Sequence, residues 1–306
     1  MTAKKPVNAG DLYLLVTVAI WGNTFPTAKY VLGSLPPFSY AGIRYFIAAL
    51  ALMGLLAWRQ GLSLPRRRDL PALLLLGLLG VTMMQLFWTN GLTMTSASKG
   101  AILVGISPLF VMLFTALRAL SRGERGPGLL AWSGVVVSFA GVFLIINNSL
   151  TALNITGGDV VGDLLFIATA LCWASYSMLA PPYLASMGPL RVTAWSMLFG
   201  ALMLLPFSLL DIHRVDLASL SAGVWAGFGY TAILAGALGY LWWYEGVARL
   251  GAARAASYSY LIPVFALISA VLVLGEDFSL LQGIGTAIVL GGLVATRIGM
   301  QRGQQA

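Results

Sequence analysis

Charge is what this 306-residue sequence has least of, since only 9% of its residues are Asp, Glu, Lys or Arg. Soluble domains carry roughly a quarter charged residues, so the chain cannot coat a water-facing globule. Cysteine is nearly absent too. The single Cys172 lies inside an apolar run, which rules out an intrachain disulfide and reads as packing, not redox chemistry. The one histidine, His213, stands in a loop beside Arg214. No cluster of metal ligands and no Gly-x-Ser-x-Gly nucleophile motif appears. These absences argue against an enzyme and leave no metal or cofactor to expect.

What is abundant is apolar surface. Hydrophobic residues make up 59% of the chain and the mean hydropathy is +0.88. A membrane-spanning helix uses about 20 apolar residues, so the length accommodates about ten of them with short connections. Apolar windows predict spans over 11–32, 37–58, 70–92, 96–120, 127–146, 159–183, 189–210, 220–248, 252–274 and 278–297. The first of these runs past Trp21 without a small-residue cleavage site in its first half, so it reads as a retained helix and not a signal peptide. Punctuation falls between spans, at Pro36-Pro37, Gly123 to Gly126, Asn147-Asn148, Gly157-Gly158 and Pro181-Pro182.

The net charge of +8 invites a nucleic-acid reading, but the basic residues sit in short stretches between apolar runs. Lys and Arg mark cytoplasmic loops of membrane proteins. With the N-terminus in the cytoplasm, the inner segments hold Lys4, Lys5, Arg59, Arg66, Arg67, Arg68, Arg118, Arg122, Arg125, Arg191, Arg249, Arg254, Arg297 and Arg302. The outer loops hold Arg214, with Glu276 and Asp277. Lys29 and Lys99 fall near outer helix ends, within snorkelling reach of the interface. Both termini are therefore expected in the cytoplasm, with the lipid bilayer as partner and no nucleic acid.

The chain also repeats itself. An offset of 152 residues pairs Trp21 with Trp173, Leu32 with Leu184, Ser34 with Ser186 and Pro37 with Pro189. An offset of 155 pairs Trp88 with Trp243, Gly91 with Gly246, Lys99 with Arg254, Pro108 with Pro263 and Phe110 with Phe265. Five spans per half is an odd number, so residues 149–306 would enter the membrane upside down relative to residues 1–148. The expected fold is an all-α integral membrane protein with an inverted five-plus-five repeat, an architecture suited to alternating access.

With the motif Trp21-Gly22-Asn23-Thr24-Phe25 in the first span, and Pro108-Leu109-Phe110 ahead of Gly123-Glu124, the chain resembles the EamA-type drug/metabolite transporter superfamily over essentially its whole length. Its aromatic interior is similar to that of the YddG-type aromatic amino acid exporters. The resemblance implies a multi-pass protein of the bacterial inner membrane that exports amino acids or similar small metabolites. Drugs, nucleosides and sugars stay open as alternative cargo.

Polar side chains in mid-span must face protein or water. By that rule the candidate substrate-binding residues are Asn23 and Thr27 in the first span and Gln85, Trp88 and Thr89 in the third. Trp173 and Tyr176 follow in the sixth, Tyr240, Trp243 and Tyr244 in the eighth, and Ser257 and Tyr260 in the ninth. Each has a structural alternative, because Ser and Thr often bond their own helix backbone and Trp and Tyr often form interfacial belts. Arg44 reads two ways, as a partner for a substrate carboxylate or as a snorkelling cation. No Asp or Glu lies near the middle of any span, which argues against proton-for-cation exchange. Glu245, four residues before Arg249, reads as a local ion pair. Pro108 and Pro263, inside their spans, read as paired hinges. Gly283, Ala287, Gly291 and Ala295 form a small-residue line on the last span, expected to pack within the chain, so a monomer is favoured.

Overall fold

In the computed structural model the described residues are 8–94, 100, 103–146, 160–266, 268 and 280–303. Lys4, Lys5, Lys99, Asn147-Asn148, Gly157-Gly158, Gly275, Glu276 and Asp277 lie outside them. Every regular element among the described residues is helical. Six helices are long and apolar enough to cross a membrane, and two shorter apolar ones accompany them. The chain is an all-α membrane protein.

The first span is two helices, not one. α1 (Ala9–Gly22) stops at Asn23 and α2 (Thr24–Leu32) resumes the climb. Three side chains feed the backbone at the break: Asn23 Nδ2 donates to Ala19 O at 3.1 Å, Thr24 Oγ1 to Ile20 O at 3.3 Å and Thr27 Oγ1 to Asn23 O at 2.7 Å. α3 (Pro37–Gln60) opens with Pro37 in its first turn, where a missing N–H costs nothing. Its remaining end-on N–H groups are satisfied by a residue 172 positions away. The buried Asp211 carboxylate accepts from Phe38 N and Ser39 N, both at 2.9 Å, and from Ser39 Oγ at 2.5 Å. A carboxylate at a helix N-terminus also meets the positive end of the macrodipole.

The third span runs from α4 (Leu70–Gly77) through a π-helical stretch, Leu78–Met83, into α5 (Met84–Met94). Lys29 Nζ donates to Leu92 O at 2.7 Å, placing a cation at the negative end of α5. α6 (Ser107–Ser121) and α7 (Leu129–Ile146) complete the first half. In the second half α8 (Val160–Leu179) ends before Pro181, earlier than its apolar window. A short α9 (Pro181–Met187) then leads through Gly188 into α10 (Pro189–Ser208). Gly188 (φ +80°) and Gly251 (φ +81°) join successive helices in a conformation that side chains with a Cβ strongly disfavour. α11 (Ala222–Gly229) passes through a second π-helical stretch, Tyr230–Leu238, into α12 (Gly239–Leu250). α13 (Ala252–Ser257) tightens into a 3₁₀ turn, Tyr258–Leu261, and helix resumes over 262–266.

The last described helix, α14 (Leu280–Gly303), packs along α7, but not by the expected line of small residues. Its contact face carries Gly285, Val289, Gly292 and Thr296, where backbones come close enough that a Cβ on Gly141 of α7 would lie 2.7 Å from Gly285 O and Val289 N. Ala287 and Gly291 are exposed on the other side. A strict four-residue spacing drifts around a 3.6-residue helix, whereas alternating steps of four and three hold one face.

Two predictions follow from this packing. Asp211→Ala should lower stability by about 1–2 kcal/mol in detergent thermal unfolding, with Asp211→Asn losing less. Gly141→Ala should destabilise by roughly 1–3 kcal/mol through overpacking. In contrast, Gly291→Ala, whose Cβ would meet nothing within 4 Å, should stabilise by about 0.5–1 kcal/mol. Equal shifts for the two glycines would refute the assignment of faces.

Candidate substrate cavity

The interruptions just described converge on one cavity. Its floor is aromatic. Trp21, at the end of α1, lies 5.1 Å from Trp173 and 5.4 Å from Trp243, and Trp173 lies 5.4 Å from Tyr240. These centroid separations and tilted or edge-on geometries are those that aromatic pairs prefer. The ring polar groups are tied to backbone that the π-helical stretches set free. Trp21 Nε1 donates to Ala235 O at 3.0 Å, and Tyr240 Oη donates to Gly80 O at 3.0 Å. A π turn leaves carbonyls without their usual i+4 partner, and here side chains from other helices supply the donors.

One wall is polar. Arg44 of α3 is 2% exposed, which removes the snorkelling alternative. Its Nη2 donates to Gln85 Oε1 at 2.5 Å and its Nη1 to Tyr40 Oη at 3.2 Å. The relay continues from Gln85 Nε2 to Tyr45 Oη at 2.7 Å, and from Tyr45 Oη to Tyr240 Oη at 3.0 Å. With the Tyr240 bond to Gly80, five groups on α3, α5, α12 and the first π stretch form a continuous chain. The guanidinium carbon also lies over three rings, 4.7 Å from the Tyr40 centroid, 4.6 Å from Tyr45 and 5.7 Å from Trp88.

Of the candidate residues, Gln85, Trp88, Trp173 and Tyr240 line the cavity together. Trp243, Tyr176, Tyr244 and Tyr260 are buried behind it. Tyr176 and Tyr244 stack at 4.6 Å, and Trp243 Nε1 donates to Ser177 Oγ at 3.3 Å. Thr89 is buried away from the lining. Asn23, Thr27 and Ser257 hydrogen-bond main-chain carbonyls three or four residues back and do not line the cavity. Residues outside that candidate set line it instead, among them Thr24, Phe25, Tyr45 and Met84. Ser107 and Ser259 also line it, and both stand where a helix is irregular.

Pro108 and Pro263 are correspondingly not in helix interiors. Pro108 occupies the first turn of α6, just after a turn at 105–106, and Pro263 follows the 3₁₀ turn Tyr258–Leu261. The helices break before the prolines, where the absent N–H is tolerated. Glu245 and Arg249 form an ion pair at 3.0 Å, well apart from the cavity lining. Among the described residues no group of His, Cys, Asp and Glu gathers to hold a metal.

Comparison with known proteins agrees with this architecture. A family model described as the EamA-like transporter family matches residues 8–147 and again 160–298. An uncharacterized transporter of Archaeoglobus fulgidus is 32% identical over 285 residues, covering 93% of this chain and 96% of its own. A probable terminal-alkyne amino-acid exporter of Streptantibioticus cattleyicolor is 30% identical, covering 92% of this chain and 91% of its own. A solved crystal structure superposes with a TM-score of 0.77 over 96% of this chain and 98% of that one, at 20% identity, which speaks for the fold alone. The chain belongs to the EamA-like transporter family.

Proposed function

We propose that this transporter exports amino acids or similar small metabolites with aromatic or apolar bodies, by alternating access of two inverted halves, residues 1–148 and 149–306. Ten spans with both termini cytoplasmic complete the reading, in a multi-pass protein of the plasma membrane. The observation that carries it is the cavity itself. Its aromatic floor joins Trp21 of the first half to Trp173 and Tyr240 of the second. Its polar wall is likewise closed by the Tyr45–Tyr240 hydrogen bond between halves. A site lying at the junction of two bodies changes shape when they move against each other. The relative named as an amino-acid exporter supports the cargo class. The irregular segments before Pro108 and Pro263, both touching the cavity through Ser107 and Ser259, supply the hinges.

Counterflow into proteoliposomes, tested against aromatic amino acids, nucleosides and cationic dyes, checks this reading. Exchange stimulation with aromatic substrates is expected; dye movement without it would overturn the cargo assignment, and flux without exchange stimulation would indicate a channel. Trp88→Ala, at the lining, should weaken transport of aromatic substrates at least about tenfold more than that of small ones, which corresponds to roughly 1.4 kcal/mol. Trp243→Ala, behind the floor, should weaken both alike. Pro108→Ala should slow exchange while leaving membrane insertion intact, and an unchanged exchange rate would remove the hinge.

A further inference from the structure

Arg44 is the charged residue of the cavity lining, and no acidic side chain lines the cavity with it. No ion pair to Arg44 exists among the described residues. Its two side-chain acceptors, Gln85 Oε1 and Tyr40 Oη, are neutral, and its Nε is buried without a hydrogen-bond partner. A buried cation ordinarily requires an opposite charge, and guanidinium N–H groups match a carboxylate's two oxygens in plane. Two buried carboxylates are engaged elsewhere: Asp211 holds the start of α3, and Asp11 accepts from Tyr258 Oη at 2.5 Å. No lining residue supplies a counter-charge, so a carboxylate entering the cavity would be the first group of opposite charge that the guanidinium meets there.

The rest of the lining says what that molecule lacks. An α-ammonium group beside the bound carboxylate needs acceptors or an open ring face. The rings of Tyr40, Tyr45 and Trp88 already face the guanidinium. Gln85 Oε1 is taken by Arg44, so what the lining leaves for an ammonium is the neutral hydroxyl oxygens of Thr24, Ser107, Thr169 and Ser259, with no carboxylate among them. An ammonium would also stand within a few ångströms of a like charge. From this balance we infer that the cavity selects organic monoanions, a carboxylate on an aromatic or apolar body, over zwitterions of the same shape, and rejects the corresponding amines. The inference rests on the cavity being the cargo site proposed above and narrows its cargo.

Three ligands differing only at the charged end test it: 3-phenylpropanoate, L-phenylalanine and phenethylamine, titrated at pH 7.5 against the purified full-length protein. Calorimetry or quenching of the fluorescence of Trp21, Trp88 and Trp173 reads binding. 3-Phenylpropanoate should bind at least about tenfold tighter than phenylalanine, the step that 1.4 kcal/mol gives, with phenethylamine weakest. Arg44→Gln should remove that preference and Arg44→Lys, which keeps the charge, should preserve the order. The comparison of the three ligands on the unaltered protein stands even where Arg44→Gln does not fold. If phenylalanine binds as tightly as 3-phenylpropanoate and is exchanged in vesicles, the anion preference is wrong and the export reading survives. If none of the three binds or moves, the cavity is not the cargo site and both fall.

Discussion

The structure is governed by one constraint: inside a bilayer no water is available to satisfy a backbone N–H or C=O that a helix has released. Each interruption of a helix must therefore be answered by protein. The break at Asn23 is answered by Asn23, Thr24 and Thr27, and Ile20 O also accepts from Tyr230 Oη at 2.6 Å across the interface between halves. The π-helical stretches are answered by Trp21 and Tyr240. Thr82 Oγ1 adds a bond to Gly200 O at 2.9 Å, beside a glycine contact at which any Cβ would meet backbone. Irregular backbone, aromatic rings and cavity occur together because the same donors that satisfy the freed carbonyls form the cavity's floor.

This coupling explains what could be read in the sequence and what could not. The matching tryptophans, Trp21 with Trp173 and Trp88 with Trp243, pointed to the interior because a large ring with one polar atom is seldom repeated by composition alone. Gln85 was legible as an amide that lipid would not tolerate unpaired. Asn23, Thr27 and Ser257 look the same on a polar stripe, yet their side chains bond their own helices. Residue type at helical spacing cannot distinguish a donor turned inward along its own backbone from one turned across an interface. The π turns were illegible for a related reason. Leu78–Met83 and Tyr230–Leu238 carry ordinary helix-forming residues, and the extra residue per turn is set by what accepts the freed carbonyl, a side chain more than 150 positions away in each case.

Arg44 shows the same limit for charge. Its position four residues after Tyr40 fits both a snorkelling side chain and an inward one, and the choice depends on the faces it meets. Tyr40 Oη, Gln85 Oε1 and three rings stabilise the inward position, each charge-assisted hydrogen bond by about 1.5–3 kcal/mol and each cation–π contact by about 0.5–2 kcal/mol. Together those contributions exceed the roughly 2.5–3.5 kcal/mol that insertion of an Arg at mid-membrane costs. The inward guanidinium is thus stabilised by neutral partners alone.

A guanidinium held by neutral partners alone still binds a carboxylate more strongly than it binds any of them. The guanidinium donates to Gln85, and Gln85 in turn holds Tyr45, which holds Tyr240. Under the proposed alternating access, separating the two halves would break the Tyr45–Tyr240 bond, a cost of about 1 kcal/mol, while a carboxylate competing with Gln85 for Arg44 would loosen the chain at its other end. If the cavity binds the cargo and the halves move as proposed, recognition and release of the contact between them would be properties of a single hydrogen-bonded chain. That is the physical reason to expect occupancy and domain movement to be linked in this protein, with no titrating carboxylate in the cavity lining.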